Sequence, residues 1–258
     1  MRAKKKYGQN FLNDLEFINK IIMAIKPKKD DSVLEIGPGL GAITIPMLKH
    51  TKHITAIEID QDMIDQLMKK IPNEKITIYN EDFLKSDALQ FNAYTHIIGN
   101  LPYYISSAIL MKIAKLPDCN AELHFMLQKE VAERITANIS TKAYGRLSVI
   151  LQYFYRTEYL FEIPAQSFTP APKITSAFVR LTRKPRIELL AKNIDTLEKV
   201  IKTAFQQKRK TLKNNFKGIL VEKDFLNLNI SSNLRAESIS VSDFIKIENY
   251  FYKEKLFF

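Results

Sequence analysis

Residues 32 to 41 read Ser-Val-Leu-Glu-Ile-Gly-Pro-Gly-Leu-Gly, and no other stretch narrows the possible folds so far. A short strand of buried type runs straight into a turn that holds three of the chain's seven glycines, Gly37, Gly39 and Gly41. An apolar helix is predicted to follow over residues 42–48. Glycine permits positive φ and lets a backbone approach a ligand closely. The spacing is G-x-G-x-G rather than G-x-G-x-x-G, which argues against the usual dinucleotide fingerprint and so against a nucleotide-dependent dehydrogenase.

Three further strands deliver polar groups to the same edge. Residues 54–59 are predicted to form the next strand, which ends at Glu58 and Asp60. An acid about 20 residues past such a turn commonly binds the two hydroxyls of a ribose. Glu58 fits best, because strand alternation separates its side chain from those of Ile57 and Ile59. A third strand, 75–79, ends in Asn80-Glu81-Asp82, and a fourth breaks at Ile97-Ile98-Gly99-Asn100-Leu101-Pro102-Tyr103-Tyr104. That last sequence suits a grip on the exocyclic amine of a flat base. The Asn100 side-chain oxygen and the Leu101 or Pro102 carbonyl can accept its two N–H groups, and Tyr103 can stack on the ring. A Pro-containing turn is common without any such role. Four strand ends in register with a glycine turn are a far rarer coincidence. The pattern predicts an α/β fold with a doubly wound sheet, whose ligands sit at the carboxyl ends of the strands.

Elsewhere the chain is less specific. Residues 4–12, Lys-Lys-Lys-Tyr-Gly-Gln-Asn-Phe-Leu, form a basic loop. Asn13 and Glu16 have capping-box spacing ahead of Leu15, Ile18, Ile21, Ile22 and Ile25, which fall on one helical face. A helix over 106–115 and a strand over 122–127 follow. Aromatic and β-branched stretches at 152–162 and 175–182 flank Phe168-Thr-Pro-Ala-Pro-Lys173, a stiff extended loop. Phe168 is either a wall for a stacked base or an anchor for that loop.

Composition shifts near Arg183. Residues 183–217 carry eleven Lys or Arg against three acids, a net of +8 out of +11 for the whole chain. From Asp195, Leu197, Val200, Ile201, Ala204, Phe205 and Leu212 share one face of a single predicted helix that ends at Asn214-Asn215. Lys199, Lys202, Gln206, Arg209 and Lys213 share the opposite face. A stripe almost entirely of one sign favours phosphate contact over a merely solvated face. Short helices near 222–228 and 242–253 complete a helical domain. The expected division is 1–185 and 186–258.

Cys119 is the only cysteine, so there is no disulfide framework, and no metal is expected. None of His50, His53, His96 and His124 has a convincing catalytic setting. The opening Met1-Arg2-Ala3-Lys4-Lys5-Lys6 has no apolar h-region and no long apolar run follows, so a soluble cytoplasmic protein without a membrane partner is expected. Net charge points to a polyanionic partner.

Glu35-x-Gly37-x-Gly39-x-Gly41, Glu58, Asp82 and Asn100-Leu-Pro-Tyr103 together resemble an S-adenosylmethionine-dependent methyltransferase of the adenine-N6 type. Tyr7-Gly-Gln-Asn-Phe-Leu12, His124-Phe-Met-Leu-Gln-Lys-Glu130, Tyr144-Gly-Arg-Leu-Ser148, Phe168-Thr-Pro-Ala-Pro-Lys173 and Ala204-Phe-Gln-Gln-Lys-Arg-Lys-Thr-Leu212 sharpen this. Over essentially its whole length the chain resembles the small-subunit ribosomal RNA adenine N6-dimethyltransferase family. The resemblance implies a Rossmann-like methyltransferase domain with a small C-terminal all-helical, rRNA-binding domain. It implies S-adenosylmethionine as methyl donor, two adjacent adenosines near the 3′ end of small-subunit rRNA as target, the assembling small ribosomal subunit as partner, and a monomer.

It also implies roles. Asn10 and Leu12 close over the cofactor, Gly37 and its neighbours Glu35, Gly39 and Gly41 meet its methionine part, Glu58 its ribose and Asp82 its adenine. Asn100, flanked by the Leu101 and Pro102 carbonyls, holds the target N6 beside the cofactor, and Tyr103 and Phe168 stack on the target base. Lys199, Lys202, Arg209 and Lys213 meet RNA. Tyr104 departs from the Asn of many members and bears on the shape of the target pocket. Three other readings compete: a large-subunit adenine dimethyltransferase of the macrolide-resistance type, a DNA adenine methyltransferase, and an idle RNA-binding assembly factor that keeps the fold.

Overall fold

The computed structural model describes residues 9–86, 91–116 and 119–254. Lys4–Lys6, Tyr7 and Gly8 of the first motif lie outside them. The chain divides into two compact units, one running up to residue 132 and resuming over 156–183, the other taking 133–155 and everything from 184. The second unit therefore includes a segment, 133–155, that lies well before the composition shift at Arg183.

The first unit is built on a seven-stranded sheet. In chain order its elements begin with β1 (Phe11–Leu12), α1 (Leu15–Ile25), β2 (Val33–Ile36), α2 (Thr44–Met47), β3 (Ile54–Ile57), α3 (Gln61–Met68) and β4 (Ile76–Tyr79). They continue with β5 (His96–Asn100), α4 (Ser106–Lys115), β6 (Glu122–Gln128) and α5 (Lys129–Ile135), which runs on into the second unit. After α6 (Arg146–Phe154) of the second unit come β7 (Tyr155–Ile163), β8 (Phe168–Thr169) and β9 (Ser176–Arg183).

The sheet order is β4-β3-β2-β5-β6-β9-β7, with β2 to β6 parallel where they pair and β9 antiparallel to β6. Chain order runs outward from β2 through β3 to β4 on one side and through β5 to β6 on the other, with β9 then inserted between β6 and the edge strand β7. The crevice between the carboxyl ends of β2 and β5 is thus a topological switch point, where doubly wound sheets bind ligands. The near-continuous apolar runs of these strands follow from burial on both faces. Leu34, Ile54, Ile97, Leu123, Val179 and Leu181 are fully enclosed, and each such side chain contributes about 1.5–3 kcal/mol.

Helix α1 buries Ile18, Ile21, Ile22 and Ile25, as their spacing predicts. Its cap lies one residue later than expected. The Asp14 side chain accepts the Glu16 N–H, whereas Asn13 Nδ2 donates to Thr169 Oγ1 at 2.6 Å. That bond reinforces a small second sheet in which β1 pairs antiparallel with β8, Phe11 opposite Thr169 and Leu12 opposite Phe168. Helix α4 has the predicted limits, whereas α2 is a single turn set among tight turns.

The second unit gathers α6, α7 (Ile194–Ala204), α8 (Leu212–Asn215), α9 (Glu222–Asn227) and α10 (Val241–Lys253) around Leu197, Val200, Phe216, Phe225, Phe244 and Phe251, all buried. Buried Glu248 of α10 accepts the backbone N–H groups of Lys192 and Asn193 at 2.9 Å each, satisfying donors at the start of α7. The single helix predicted to run through Leu212 stops at Ala204. Asn215 Nδ2 donates to the Ala204 carbonyl at 2.7 Å and its Oδ1 accepts the Gln207 N–H at 3.1 Å, folding 205–211 into a turn between α7 and α8. No helix among the described residues is long and apolar enough to cross a membrane.

Candidate active site

A cavity of about 680 Å³ opens at the switch point, within the first unit. Twelve of the thirteen residues that the sequence assigns to the cofactor or the target line it: Asn10, Leu12, Glu35, Gly37, Gly39, Gly41, Glu58, Asp82, Asn100, Leu101, Pro102 and Tyr103. The exception is Phe168. It is 3% exposed and packs in the core with Leu12, Ile18, Ile22 and Phe178. Its neighbour Thr169 reaches the cavity instead.

The glycine turn forms the floor. Gly37 has φ +68°, and a Cβ there would meet nothing within 4 Å, so the backbone presents open space to the cavity. Gly99 is required for another reason, because a Cβ on it would lie 2.6 Å from the Ile36 carbonyl and force β5 away from β2.

Beyond the turn stands Glu58, buried and held by two backbone donors. Gly39 N–H reaches Oε2 at 3.2 Å and Asp60 N–H reaches Oε1 at 2.9 Å. Burial pushes the Glu58 carboxyl above its ordinary value, and those two hydrogen bonds act against it. Each oxygen keeps lone-pair capacity for a hydroxyl donor. Asp82 Oδ1 accepts the Leu84 N–H at 2.9 Å and shapes its own loop. Asp82 Oδ2 has no donor among the described residues.

Glu35 is the least comfortable group in the cavity wall. It is buried, its Oε2 has no hydrogen-bond partner among the described residues, and burial, reinforced by the Glu58 charge, pushes its pKa up to about 7. An orphaned buried carboxylate oxygen beneath an open glycine turn suits a ligand that brings a cationic or N–H group. A methionine-bearing sulfonium with its amino group meets that description, with ribose hydroxyls for Glu58 and a base amine for Asp82. The donor set fits S-adenosylmethionine.

Across the cavity, Asn100 Nδ2 donates to the Asn10 carbonyl at 3.0 Å. The amide's other end, Oδ1, is left as an acceptor. The Leu101 N–H donates to Met126 O at 3.1 Å, and the Pro102 carbonyl accepts the Ile105 N–H at 3.1 Å. The Leu101 carbonyl has no donor among the described residues. Of the two carbonyls suggested by the sequence, Leu101 is the one still open to a base amine. Tyr103 is half-buried, with its hydroxyl 2.6 Å from Ser176 Oγ. Tyr104 stands at the rim, 64% exposed.

Gln9 belongs to the Tyr7–Leu12 motif but its contact is not legible there, and two other contributors, Lys112 and Ser176, carry no signal in the sequence. Gln9 Nε2 donates to Asp60 Oδ2 at 2.8 Å, fastening the segment before β1 beside Glu58. Lys112 of α4 donates to the Leu84 and Ser86 carbonyls at 3.1 and 2.6 Å and steadies the loop that carries Asp82 and the cavity-lining Phe83. Ser176 is fully buried in β9. All three depend on pairings between distant parts of the chain.

One group among the described residues has the composition of a metal site: His96, Glu122 and His124, at the opposite, amino ends of β5 and β6. The Arg180 guanidinium is already there, with Nε donating to His124 Nε2 at 3.3 Å and lying 3.8 Å from Glu122 Oε1.

In the second unit, Lys199, Lys202 and Arg209 are exposed and form no ion pair among the described residues. Lys213 is exposed and lies 3.2 Å from Glu222. Lys199 and Lys202 are on α7, Arg209 on the turn and Lys213 on α8, so they do not form one helical stripe.

A family model described as ribosomal RNA adenine dimethylase matches residues 1–253. The ribosomal RNA small subunit methyltransferase A of Dechloromonas aromatica is 45% identical over 248 residues, covering 96% of this chain and 97% of that protein. That of Francisella tularensis subsp. novicida is 46% identical over 256 residues, with coverages of 96% and 97%. Among solved structures, a dimethyladenosine transferase from Plasmodium falciparum has a TM-score of 0.84 at 27% identity, covering 95% of this chain and 98% of its own. The 23S rRNA methyltransferase ErmE shares the fold, with a TM-score of 0.72 at 22% identity and coverages of 93% and 98%. Because the match runs through the helical unit as well as the sheet, this chain belongs to the ribosomal RNA adenine dimethylase family.

Proposed function

We propose that this chain transfers methyl groups from S-adenosylmethionine to N6 of two adjacent adenosines near the 3′ end of small-subunit rRNA. The product is N6,N6-dimethyladenosine, formed in the cytoplasm while the small ribosomal subunit matures, by an enzyme acting as a monomer. The observation that carries the reading is the Asn100 amide, held by the Asn10 carbonyl so that Oδ1 remains to accept from a base amine.

Adenine N6 is a poor nucleophile because its lone pair is delocalised into the ring. With one N6 hydrogen on Asn100 Oδ1 and the other on the Leu101 carbonyl, the nitrogen is drawn towards a pyramidal geometry, and the positive charge that develops on attack is stabilised. S-adenosylmethionine, when bound, supplies a methyl group already activated on a sulfonium. The protein therefore needs alignment rather than a side-chain nucleophile. Glu58 holds the cofactor ribose, Asp82 its adenine, and Glu35 with the Gly37–Gly41 turn its methionine part, while Asn10 and Leu12 cover it. Tyr103 stacks on the flipped adenine. The buried Phe168 backs the strand pair that carries Leu12 and Thr169. Lys199, Lys202, Arg209 and Lys213 contact phosphates of the rRNA-binding surface.

Dimethylation adds a demand. After the first transfer N6 has one hydrogen left and a methyl to accommodate, so the pocket grips N6 less tightly than a monomethylating enzyme would.

The test is incubation with labelled S-adenosylmethionine and small ribosomal subunits that lack the modification, followed by nucleoside mass spectrometry. Dimethyladenosine at two neighbouring positions is expected. Label only on protein-free large-subunit rRNA would replace the small-subunit target. Binding of cofactor and subunit without transfer would leave an assembly factor.

A further inference from the structure

The Tyr103 phenol makes a contact that the proposed reaction does not explain. Its oxygen lies 2.6 Å from Ser176 Oγ, 73 positions along the chain. The two ends of this contact differ in rigidity. Ser176 is fully buried and opens β9, where it pairs with Gln128 of β6, and the next pair, Ala177 with Leu127, is also fully enclosed. Tyr103 lies in the turn after β5, outside any strand, and among the described residues its backbone carbonyl accepts only the Ser106 hydroxyl, at 3.2 Å. No aromatic ring packs against Tyr103 among the described residues. Its ring plane would be free to swing about two torsions were the hydroxyl not tied to the sheet.

We propose that Ser176 is a positioning residue, whose hydroxyl tethers Tyr103 and sets the plane on which the target adenine stacks. The inference deepens the proposed adenine-N6 transfer and rests on it. A stacked base inherits the orientation of the ring beneath it. Asn100 Oδ1 and the Leu101 carbonyl can meet N6 only if that plane is correct. The demand is stricter for the second transfer, when a single N6 hydrogen is left to orient the base and a methyl group crowds it. Loss of the tether should therefore harm the second methylation more than the first. A phenol is already protonated near neutral pH, and burial raises the Tyr103 pKa further, so the contact is a neutral hydrogen bond.

The experiment compares wild type, Ser176→Ala, Tyr103→Phe and the double variant. Undermethylated small subunits serve as substrate, mono- and dimethyladenosine are quantified separately, and cofactor affinity and thermal melting are measured alongside. Each single variant is expected to lower the rate of the second transfer about 5- to 20-fold, with monomethyladenosine accumulating and cofactor affinity changed less than twofold. The double variant should be no slower than the worse single variant, because both changes cut the same bond. Ser176→Thr, which keeps the hydroxyl, should recover most of the loss.

Packing damage alone would give additive losses, no rescue by threonine and an unaltered ratio of products, and would overturn the proposal. If Ser176→Ala does not fold, Tyr103→Phe alone decides: wild-type product ratios would overturn it. If wild type methylates and both singles match it, the tether fails while the function stands. If wild type transfers nothing, the function itself fails and the tether with it.

Discussion

Asn100 Nδ2 donates to the backbone carbonyl of Asn10 at 3.0 Å, joining the end of β5 to the segment that enters β1. One hydrogen bond thus orients the amide and fastens the strand-entry segment over the cavity. Asn100→Ala should lower turnover at least 100-fold, as losing one preorganised polar group at a reacting centre typically does. It should weaken cofactor binding only several-fold, because Glu58 and Asp82 remain. Single-turnover methylation with saturating subunit RNA, beside equilibrium cofactor binding, separates the two. Near-normal turnover would remove Asn100 from its assigned role.

On the proposed reading, Glu35 links cofactor binding to protons. Without ligand its carboxyl titrates near 7, raised chiefly by burial. A cationic ligand group beside Oε2 favours the carboxylate and so lowers that value. Binding at pH 6.5 should then release protons. Calorimetry in two buffers of different ionisation enthalpy would detect them. Affinity should weaken as pH falls below 7, by up to about tenfold per unit. Glu35→Gln should bind more weakly at pH 8 and lose most of this pH dependence. An unchanged pH profile would mean that the cofactor does not engage Glu35.

Much of this site is legible in the chain because its residues stand at strand ends. Glu58 is found by counting from a glycine turn and by strand alternation, and Asn100 by the break of its strand into Gly99-Asn-Leu-Pro-Tyr, all of them local properties. Helix α4 has its predicted limits for the same reason. Longer-range features escape. Phe168 turns into the core because β8 pairs with β1, more than 150 positions away, and nothing near Phe168 reports that pairing. The break after Ala204 is made by the side chain of Asn215. Residues 133–155 join the helical unit although they lie before the composition shift at Arg183. Tertiary contacts override the local pattern in each case.

The basic residues of the second unit make a prediction about salt. Lys199, Lys202 and Arg209 are exposed without an acidic partner among the described residues, so each is available to a phosphate. Each alanine substitution should reduce the slope of log affinity against log salt by about 1, and affinity should fall alike for matched and mismatched target sequences. Lys213→Ala should do less, since Glu222 already shares its charge. Filter binding of an rRNA fragment between 50 and 300 mM salt (roughly the range in which such slopes are read) would check this. Unaltered slopes would move the RNA surface elsewhere.

Two buried groups bias stability against pH in opposite directions. His124 is enclosed against Phe178, with its Nδ1 unpartnered among the described residues. Burial first, then His96 and Arg180, lowers its pKa to about 3. Below about pH 6.5 the unfolded chain binds a proton that the fold refuses, so stability falls as pH drops towards 3. Glu35 does the reverse. With a folded pKa of about 7 against an ordinary 4.5, its contribution is fully present below 4.5 and is lost as pH rises through 7. Between roughly pH 4.5 and 6.5 the two slopes, about 1.4 kcal/mol per unit for one proton each, oppose one another. The wild-type denaturation midpoint should therefore vary little there on account of these groups. Glu35→Gln should expose the His124 slope, with stability falling as pH is lowered from 6.5 to 5. His124→Gln should expose the Glu35 slope, with stability rising over the same interval. Denaturant titrations of the ligand-free protein at three pH values would read both. Parallel profiles for the two variants would mean that neither group sets the pH dependence, whereas slopes of opposite sign would locate it in a buried acid at the cavity and a buried histidine at the far end of the same sheet.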